Sequence, residues 1–210
     1  MEELKRLVIT GDAEKVAQRV QELMTQGVAV EDILKRGLIT AMDEVGDMFQ
    51  KGEYFVPEML IAARAMNRGL AIIKPAIVEK GIEPVGKMVI GTVKGDLHDI
   101  GKNLVAMALE GAGFEVIDLG SDVSPERFVE AVKEHNAELL GMSALLTTTM
   151  LAMKDTVKAV EDAGIRDKVK IMIGGAPVQQ EFADEIGADL YARDSTAARN
   201  LAREVISGEV

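Results

Sequence analysis

The chain has 210 residues, a formal net charge of -11 and no cysteine. The charge argues against nucleic acid or an anionic membrane as the main partner, because phosphate contacts need clustered cations. The lack of cysteine excludes disulfides, thiolate metal sites and a cysteine nucleophile. No apolar run approaches the roughly 18 residues of a membrane span, and the start lacks the apolar region of a signal peptide. We therefore expect a soluble cytoplasmic protein.

The first part of the chain has the apolar periodicity of helices. After a first short helix, we predict helices over residues 12–26, 30–50 and 57–80. Asp12 is a candidate N-cap, and Gly27 is a candidate terminator of the same helix. Pro57 suits the first turn of the last helix, which Pro75 is expected to kink or shorten. These segments predict a four-helix bundle over residues 1–80.

The pattern changes after a linker over residues 81–86, from which point apolar runs alternate with helical stretches. Strands are predicted over residues 87–93, 115–119, 139–143, 169–173 and 189–191. Helices are predicted over residues 100–112, 125–135, 149–163, 179–186 and 195–206. Alternation of this kind implies a parallel sheet with right-handed crossovers. The fold class is therefore α/β, with the helical bundle followed by a flavodoxin-like or Rossmann-like domain over 87–210 that contains a five-stranded parallel sheet.

A histidine with a nearby carboxylate follows the first predicted strand, in the pattern Asp96-x-His98-x-x-Gly101. Ligands of open α/β folds bind beyond the carboxyl ends of the strands. A carboxylate that accepts the Nδ1–H of His98 would fix the tautomer and leave Nε2 free for a metal. Gly95 and Gly101 permit a tight turn and the close approach of a bulky ligand. Alone, the segment is also compatible with a structural Asp–His pair, or with phosphate binding at the following helix N-terminus.

Two later features are expected at the same edge of the sheet. Ser143 ends the third predicted strand and offers a hydroxyl there. Gly174 and Gly175 follow the fourth strand and leave that position without side chains. Together they predict a narrow channel for a flat ligand with polar edges, although a glycine pair after a strand is often only a turn.

In this order, the Asp-x-His-x-x-Gly, Ser-x-Leu and Gly-Gly elements resemble the cobalamin-binding domains of the methionine synthase type. The resemblance implies that His98 displaces the lower base of the cofactor and binds cobalt, while Asp96 orients the imidazole. It implies that the Thr149 hydroxyl extends the hydrogen-bonded series formed by His98 and Asp96, although Thr149 is also a candidate N-cap. It further implies that Ser143 bonds the displaced base and that the glycine pair lines its slot. Further implied cofactor contacts are Gly95, Leu97, Asp99, Gly101, Leu145 and Thr147.

The segment from Ala41 to Met59 resembles the helical cap of methyl-carrying corrinoid proteins. The matching apolar positions, which would cover the upper face of the cofactor, are Phe49, Val56 and Met59. A dry upper face would protect a reactive cobalt centre from water. The same residues are also compatible with an ordinary bundle core.

The resemblance covers nearly the whole chain. It implies a corrinoid protein that accepts a methyl group on the cobalt of cobalamin or a related cobamide, from a donor methyltransferase, and presents it to an acceptor methyltransferase. A substrate-activating barrel needs about 250 residues, so both enzymes are expected to be separate chains. A reductive activator protein is expected as well, and the cap would have to move to admit each partner.

Three alternatives remain open from the sequence. The first is the small subunit of an adenosylcobalamin-dependent mutase, which would share the histidine loop but need a large catalytic partner. The second is a corrinoid-based sensor, which would be expected to carry a DNA-binding or signalling module. The third is a flavodoxin-like domain without cobalt, which a colourless protein in the presence of added cobamide would indicate.

Overall fold

Helices fill the N-terminal part of the computed structural model, which describes residues 1–208. They are α1 (Glu2–Ile9), α2 (Ala13–Thr25), α3 (Val30–Asp32), α4 (Thr40–Gln50) and α5 (Val56–Glu79). A π-helical stretch, Ile33–Ile39, joins α3 to α4 without a break. Residues 30–50 therefore form one continuous helix, and the prediction of four helices is confirmed.

Local interactions explain where these helices begin and end. The Asp12 carboxylate accepts a hydrogen bond from the Lys15 amide at 3.2 Å, so Asp12 is the N-cap of α2 as predicted. The expectation that Pro75 shortens the last helix is wrong, because α5 continues to Glu79. Proline removes the amide that would bond the carbonyl of Ala71. Ala71 is exposed, so water can satisfy that carbonyl.

The π-helical stretch was not predicted, and it contains Gly37, against which α1 packs. A Cβ at Gly37 would lie 2.7 Å from Leu4 Cδ2, so a larger residue there would require Leu4 to shift. The wider turn is visible where the Thr40 hydroxyl donates to the Lys35 carbonyl, five residues back, at 2.8 Å. A side-chain bond of this kind stabilises a segment whose own backbone geometry is less favourable.

Five strands among the described residues form one parallel sheet in the order β2-β1-β3-β4-β5. They are β1 (Lys87–Thr92), β2 (Glu115–Asp118), β3 (Leu139–Ser143), β4 (Lys170–Gly174) and β5 (Leu190–Tyr191). The helices of this part are α6 (Ile100–Gly111), α7 (Pro125–His135), α8 (Leu151–Asp162), α9 (Gln180–Ile186) and α10 (Ser195–Ser207). The predicted fold class is confirmed, and the strand order is that of flavodoxin-like folds.

The register of the sheet aligns the ends of its three central strands. Thr92 of β1 pairs with Ser143 of β3, and Ser143 pairs in turn with Gly174 of β4. The carboxyl ends of these strands therefore form one edge, which we call the sheet edge. Beneath it lies an apolar core in which Phe128 of α7 is fully buried, next to Gly91 of β1. In such folds the chain reverses its winding between β1 and β3, where ligands bind.

The chain divides into two compact units. The first, the helical unit, comprises residues 1–84 together with residues 110–113. The second, the sheet unit, comprises residues 85–109 and 114–208. Among the described helices, none has both the length and the apolarity needed to cross a lipid bilayer.

Candidate functional site

Asp96 is the centre of the sheet edge and is fully buried. It lies in the loop after β1, which ends at Thr92, and its two carboxylate oxygens face different segments. Oδ1 accepts from the backbone amide of His98 at 3.0 Å and from His98 Nδ1 at 2.8 Å. Oδ2 accepts from the Leu145 amide at 2.8 Å and from the Thr149 hydroxyl at 2.7 Å. One buried carboxylate thus links the loop after β1 to the loop after β3.

These contacts determine the charge of Asp96. Burial raises its pKa, because an ionised carboxylate loses solvation, but the hydrogen bonds from Thr149, His98 and Leu145 lower it more. The balance holds the pKa of Asp96 well below its usual range. The carboxylate is therefore ionised and can only accept hydrogen bonds, so Nδ1 of His98 carries the hydrogen between them.

His98 is accessible from solvent, although its carboxylate partner is not. About half of its side chain, 52 %, is exposed. With the hydrogen on Nδ1, a neutral imidazole has its lone pair on Nε2, the atom that would bind a metal. The backbone of the same residue is also fixed, because the buried Thr92 hydroxyl donates to the His98 carbonyl at 3.0 Å. One imidazole supplies one ligand, which suits a metal already held by a macrocycle.

Thr149 belongs to this cluster rather than to a helix cap. Helix α8 begins at Leu151, two residues later than the predicted start, and its N-cap is Met150 without a side-chain cap bond. The N-cap interpretation of Thr149 is therefore wrong. Its hydroxyl lies 2.7 Å from Asp96 Oδ2 and 2.9 Å from the Leu146 carbonyl oxygen. The structure thus brings Asp96, His98 and Thr149 together in one hydrogen-bonded chain.

The glycine pair occupies the edge beside Ser143, which is half-buried. A Cβ at Gly174 would lie 2.7 Å from the Ala192 carbonyl oxygen, and one at Gly175 would overlap the Ala144 carbonyl. Gly175 also has a φ of 130°, which side chains disfavour. The close approach of neighbouring backbone therefore suffices to explain why both are glycine. The channel that the sequence predicted for a ligand tail is not needed to account for them.

Gly101 differs from that pair. A Cβ added there would meet no other described atom within 4 Å, so packing within the chain does not demand glycine at this position. Gly95, by contrast, has a φ of 83°, which makes it part of the turn itself. Space beside Gly101, at the start of α6, fits the close approach of a ligand.

Large apolar side chains are exposed on the two segments of the sheet unit that meet at Asp96. Leu97 is 73 % exposed and Ile100 is 75 % exposed, although both flank the histidine. Leu145, Leu146 and Leu151, from the segment after β3, are also exposed. Exposed apolar residues on the segments beside an exposed histidine indicate a binding surface rather than an ordinary solvated one. The remaining predicted contacts, Asp99 and Thr147, are exposed on the same two segments.

The residues predicted to cover the cofactor lie in the helical unit. Met59 is only 4 % exposed, while Phe49 and Val56 are half-buried. The exposed large apolar side chains nearby are instead Phe55, Leu60 and Ile61, at 64 %, 38 % and 51 %. Burial is expected both of a core residue and of a residue that covers the cofactor, so it does not distinguish the two roles.

Sequence reasoning missed three residues that contact the central cluster. Thr92 donates to the His98 carbonyl, and the Leu146 amide lies 3.3 Å from Asp96 Oδ2. Asp122 accepts from the Gly95 amide at 2.7 Å. A threonine at the end of a buried strand was a usable signal for Thr92. Contacts from Leu146 and Asp122 depend on how separate loops meet, which the sequence pattern does not reveal.

Two family models match the chain, and both are described as a B12 binding domain. One covers residues 86–201 and the other covers residues 1–74. The first includes the whole sheet edge, from Asp96 and His98 to the glycine pair. The second covers most of the helical unit.

Individual proteins give the same picture. The chain is 41% identical over 209 residues to a corrinoid protein of Desulfitobacterium hafniense, covering 98% of this chain and 97% of that protein. It is 43% identical over 197 residues to trimethylamine corrinoid protein 1 of Methanosarcina acetivorans, covering 93% and 91%. Among solved structures, the methanol:cobalamin methyltransferase complex MtaBC of Methanosarcina barkeri matches with a TM-score of 0.89 at 29% identity, over 98% of this chain and 78% of that one.

Proposed function

The chain belongs to the B12-binding family, and from this premise we propose that it is a corrinoid methyl carrier. It would accept a methyl group on the cobalt from a donor methyltransferase and present it to an acceptor methyltransferase. The observation that carries this proposal is the buried, ionised Asp96 that holds the Nδ1 side of an exposed His98. Relatives named as trimethylamine and dimethylamine corrinoid proteins support the choice of methyl carriage.

The residues of the sheet edge fit a cobalt corrinoid. His98 Nε2 would be the lower ligand to cobalt, and the exposed apolar side chains of the two segments that meet at Asp96 suit a large flat ring. Ser143 would bond the displaced lower base, with Gly174 and Gly175 lining its path. Further contacts are proposed for Gly95, Leu97, Asp99, Gly101, Leu145 and Thr147. When bound, the corrinoid supplies a cobalt centre that can accept a methyl group and give it up again.

The contribution of the chain is to hold its ligand in one state. Ionised Asp96 keeps the hydrogen of His98 on Nδ1, which fixes both the tautomer and the direction of Nε2. Thr149 and the Leu145 amide hold the other oxygen, so the carboxylate cannot rotate away. The same interactions raise the basicity of Nε2, so the imidazole binds a metal more strongly than a free histidine does.

The role proposed for Phe49, Val56 and Met59 is to exclude water from the opposite face of the bound cofactor. Their partly or fully buried apolar side chains suit that task, because a dry face protects a reactive metal centre. Such a cover has to open when a partner enzyme reaches the cobalt. We propose that donor and acceptor methyltransferases, and a reductive activator, are separate proteins.

Reconstitution with a cobamide, reduction of its cobalt by a strong chemical reductant, and exposure to a panel of donor methyltransferases test the proposal. The panel would pair enzymes specific for methylamines or methanol with their substrates, and the visible spectrum of the corrinoid would report methylation. We expect one donor system to change the spectrum of the wild-type protein and an acceptor enzyme to reverse the change. A protein that stays colourless, or that retains only an adenosyl ligand and no methyl group, would refute it.

A further inference from the structure

The segment after β2, residues 119–123, lies along the end of β1; we call it the brace. Its backbone makes four hydrogen bonds to the backbone of β1 and of the loop that follows β1. The Leu119 amide donates to Ile90 at 2.8 Å, and the Thr92 amide donates to Gly120 at 2.9 Å. The Val123 amide donates to Thr92 at 3.0 Å, and the Asp122 amide donates to the Asp96 carbonyl at 3.0 Å. The brace thus follows the backbone that leads to His98.

Asp122 adds a fifth contact through its side chain. Its Oδ1 accepts from the Gly95 amide at 2.7 Å, while its own amide bonds Asp96. These two bonds hold both ends of the Gly95–Asp96 dipeptide. The proposed cobalt ligand is only two residues further along the chain.

The backbone of Asp122 indicates that this contact is specific. Its φ is 58°, in the left-handed region, which disfavours most side chains. In the described chain, the only other non-glycine residue with positive φ is Asn136, the C-cap of α7. Aspartate tolerates this conformation better than most residues, and it also supplies an acceptor. A glycine would satisfy the first requirement but not the second.

The residue before the brace is also anchored to the start of α6, beyond His98. Asp118, immediately before the brace, pairs with the ammonium group of Lys102, which is almost fully buried in α6. Another oxygen of Asp118 accepts from the Gly120 amide at 2.8 Å. Residues 95–102 are therefore held at both ends by one segment that comes from the neighbouring strand.

We propose that Asp122 is a positioning residue that fixes Asp96 and, through it, the coordinating direction of His98. Gly95 has a φ of 83° and, as glycine, can adopt many other conformations. Without the Asp122 carboxylate, the peptide before Asp96 gains that freedom. The Asp96 carboxylate then no longer meets His98, Leu145 and Thr149 at the same time. The inference rests on the proposed corrinoid function, but its geometric part concerns the chain alone.

Three variants separate the two properties of Asp122. Asp122→Asn retains an acceptor oxygen and tolerates left-handed backbone. Asp122→Gly retains the backbone conformation and loses the acceptor, whereas Asp122→Ala loses both. The matched control is Asn136→Gly, which changes the other described non-glycine residue with left-handed backbone.

The first measurement uses the full-length protein without cofactor. Amide hydrogen exchange by nuclear magnetic resonance would report the Leu145 and His98 amides, which donate to Asp96. We expect Asp122→Asn and Asn136→Gly to preserve wild-type protection. Asp122→Gly should lower protection at both amides, because their common acceptor is no longer held in place, with little change in melting temperature.

The second measurement uses protein reconstituted with cobalamin. The visible spectrum would give the proportion of the His-on form, in which His98 coordinates cobalt, and of the His-off form, in which it does not. Asp122→Gly should shift this equilibrium toward His-off by about 10-fold, and Asp122→Asn should restore it. An Asp122→Gly variant with wild-type protection and a wild-type spectrum would overturn the role of Asp122 and leave the proposed function intact. Wild-type protein that never shows a His-on spectrum would instead refute the proposed function, whatever the exchange data show.

Discussion

The sheet edge and the helical unit hold their candidate residues in different ways. At the sheet edge, Asp96 is fixed by directional bonds from three residues of two separate loops. In the helical unit, Phe49, Val56 and Met59 are held by apolar packing, whose energy follows buried area and not direction. A directional network weakens with each donor or acceptor that is lost, whereas apolar packing tolerates exchanges of similar volume. Substitutions at the sheet edge should therefore change coordination by His98, whereas substitutions in the helical unit should change how well the cofactor is shielded from water.

Removal of the imidazole should have the largest effect on coordination. We expect His98→Ala to abolish the His-on spectrum and to lower corrinoid affinity by at least about 100-fold, beyond the range for outer-shell substitutions. His135→Ala is the matched control, because His135 ends α7 and is the only other histidine of the chain. Spectral titration with cobalamin would measure both variants. An unchanged spectrum in His98→Ala would remove the basis of the proposed site.

Asp96→Asn should have the next largest effect. The amide keeps the shape of the side chain, but one of its two ends becomes a donor facing the groups that now donate to the carboxylate. Because buried donors lose their acceptor, we expect corrinoid affinity to fall by about 10- to 100-fold and the free energy of unfolding by about 2 kcal/mol or more. Calorimetric titration and chemical denaturation would measure these changes. A stable variant with wild-type affinity would show that the carboxylate is not needed.

Thr149→Val should weaken the same network without breaking it. Valine keeps the size of threonine, and Asp96 Oδ2 still accepts from the Leu145 amide. Loss of one hydrogen bond to a charged group corresponds to about 1.5 to 3 kcal/mol, so we expect a partial shift to His-off that is smaller than in Asp96→Asn. Thr149→Ser should restore the wild-type equilibrium. Equal behaviour of the valine and serine variants would show that the hydroxyl has no role.

Substitutions in the helical unit should affect coordination least. Met59→Ala removes a buried side chain and should lower the free energy of unfolding by about 2 to 4 kcal/mol, while the His-on spectrum stays unchanged. The half-buried Val56 gives a milder companion variant, Val56→Ala. The rate at which oxygen oxidises the reduced cobalt would then distinguish cover from core. A covering role predicts faster oxidation in Val56→Ala at unchanged stability, whereas a core role predicts lower stability at an unchanged oxidation rate.

The sequence predicted the sheet edge well because its main signal is local. Asp96 and His98 are two residues apart after a strand, so their contact requires only that the strand exists. Ser143 and Gly174 were placed correctly because parallel strands end at the same edge. The position of Thr149 could not be decided, because its two interpretations differ by a two-residue shift in the start of α8.

Features that depend on non-local packing were beyond the sequence pattern. Asp122 meets Gly95 only because β2 pairs with β1, and alternation of strands and helices does not specify that neighbour. The π-helical stretch contains Gly37, against which the distant Leu4 packs, and that contact is not visible in the sequence pattern. Pro75 was expected to kink or shorten the last helix, but α5 continues to Glu79, and the exposed position of Ala71 lets water replace the lost bond.

Isotope labelling of the axial nitrogen tests the central claim most directly. The paramagnetic cobalt form of the reconstituted protein would be prepared with ordinary histidine and with histidine that carries the heavy nitrogen isotope. If Nε2 of His98 is the lower ligand, the nitrogen splitting in the electron paramagnetic resonance spectrum changes from a triplet to a doublet on labelling. The same change should persist in His135→Ala and disappear in His98→Ala. A splitting that labelling leaves unchanged would show that the cofactor keeps its own lower base, and would contradict coordination by His98.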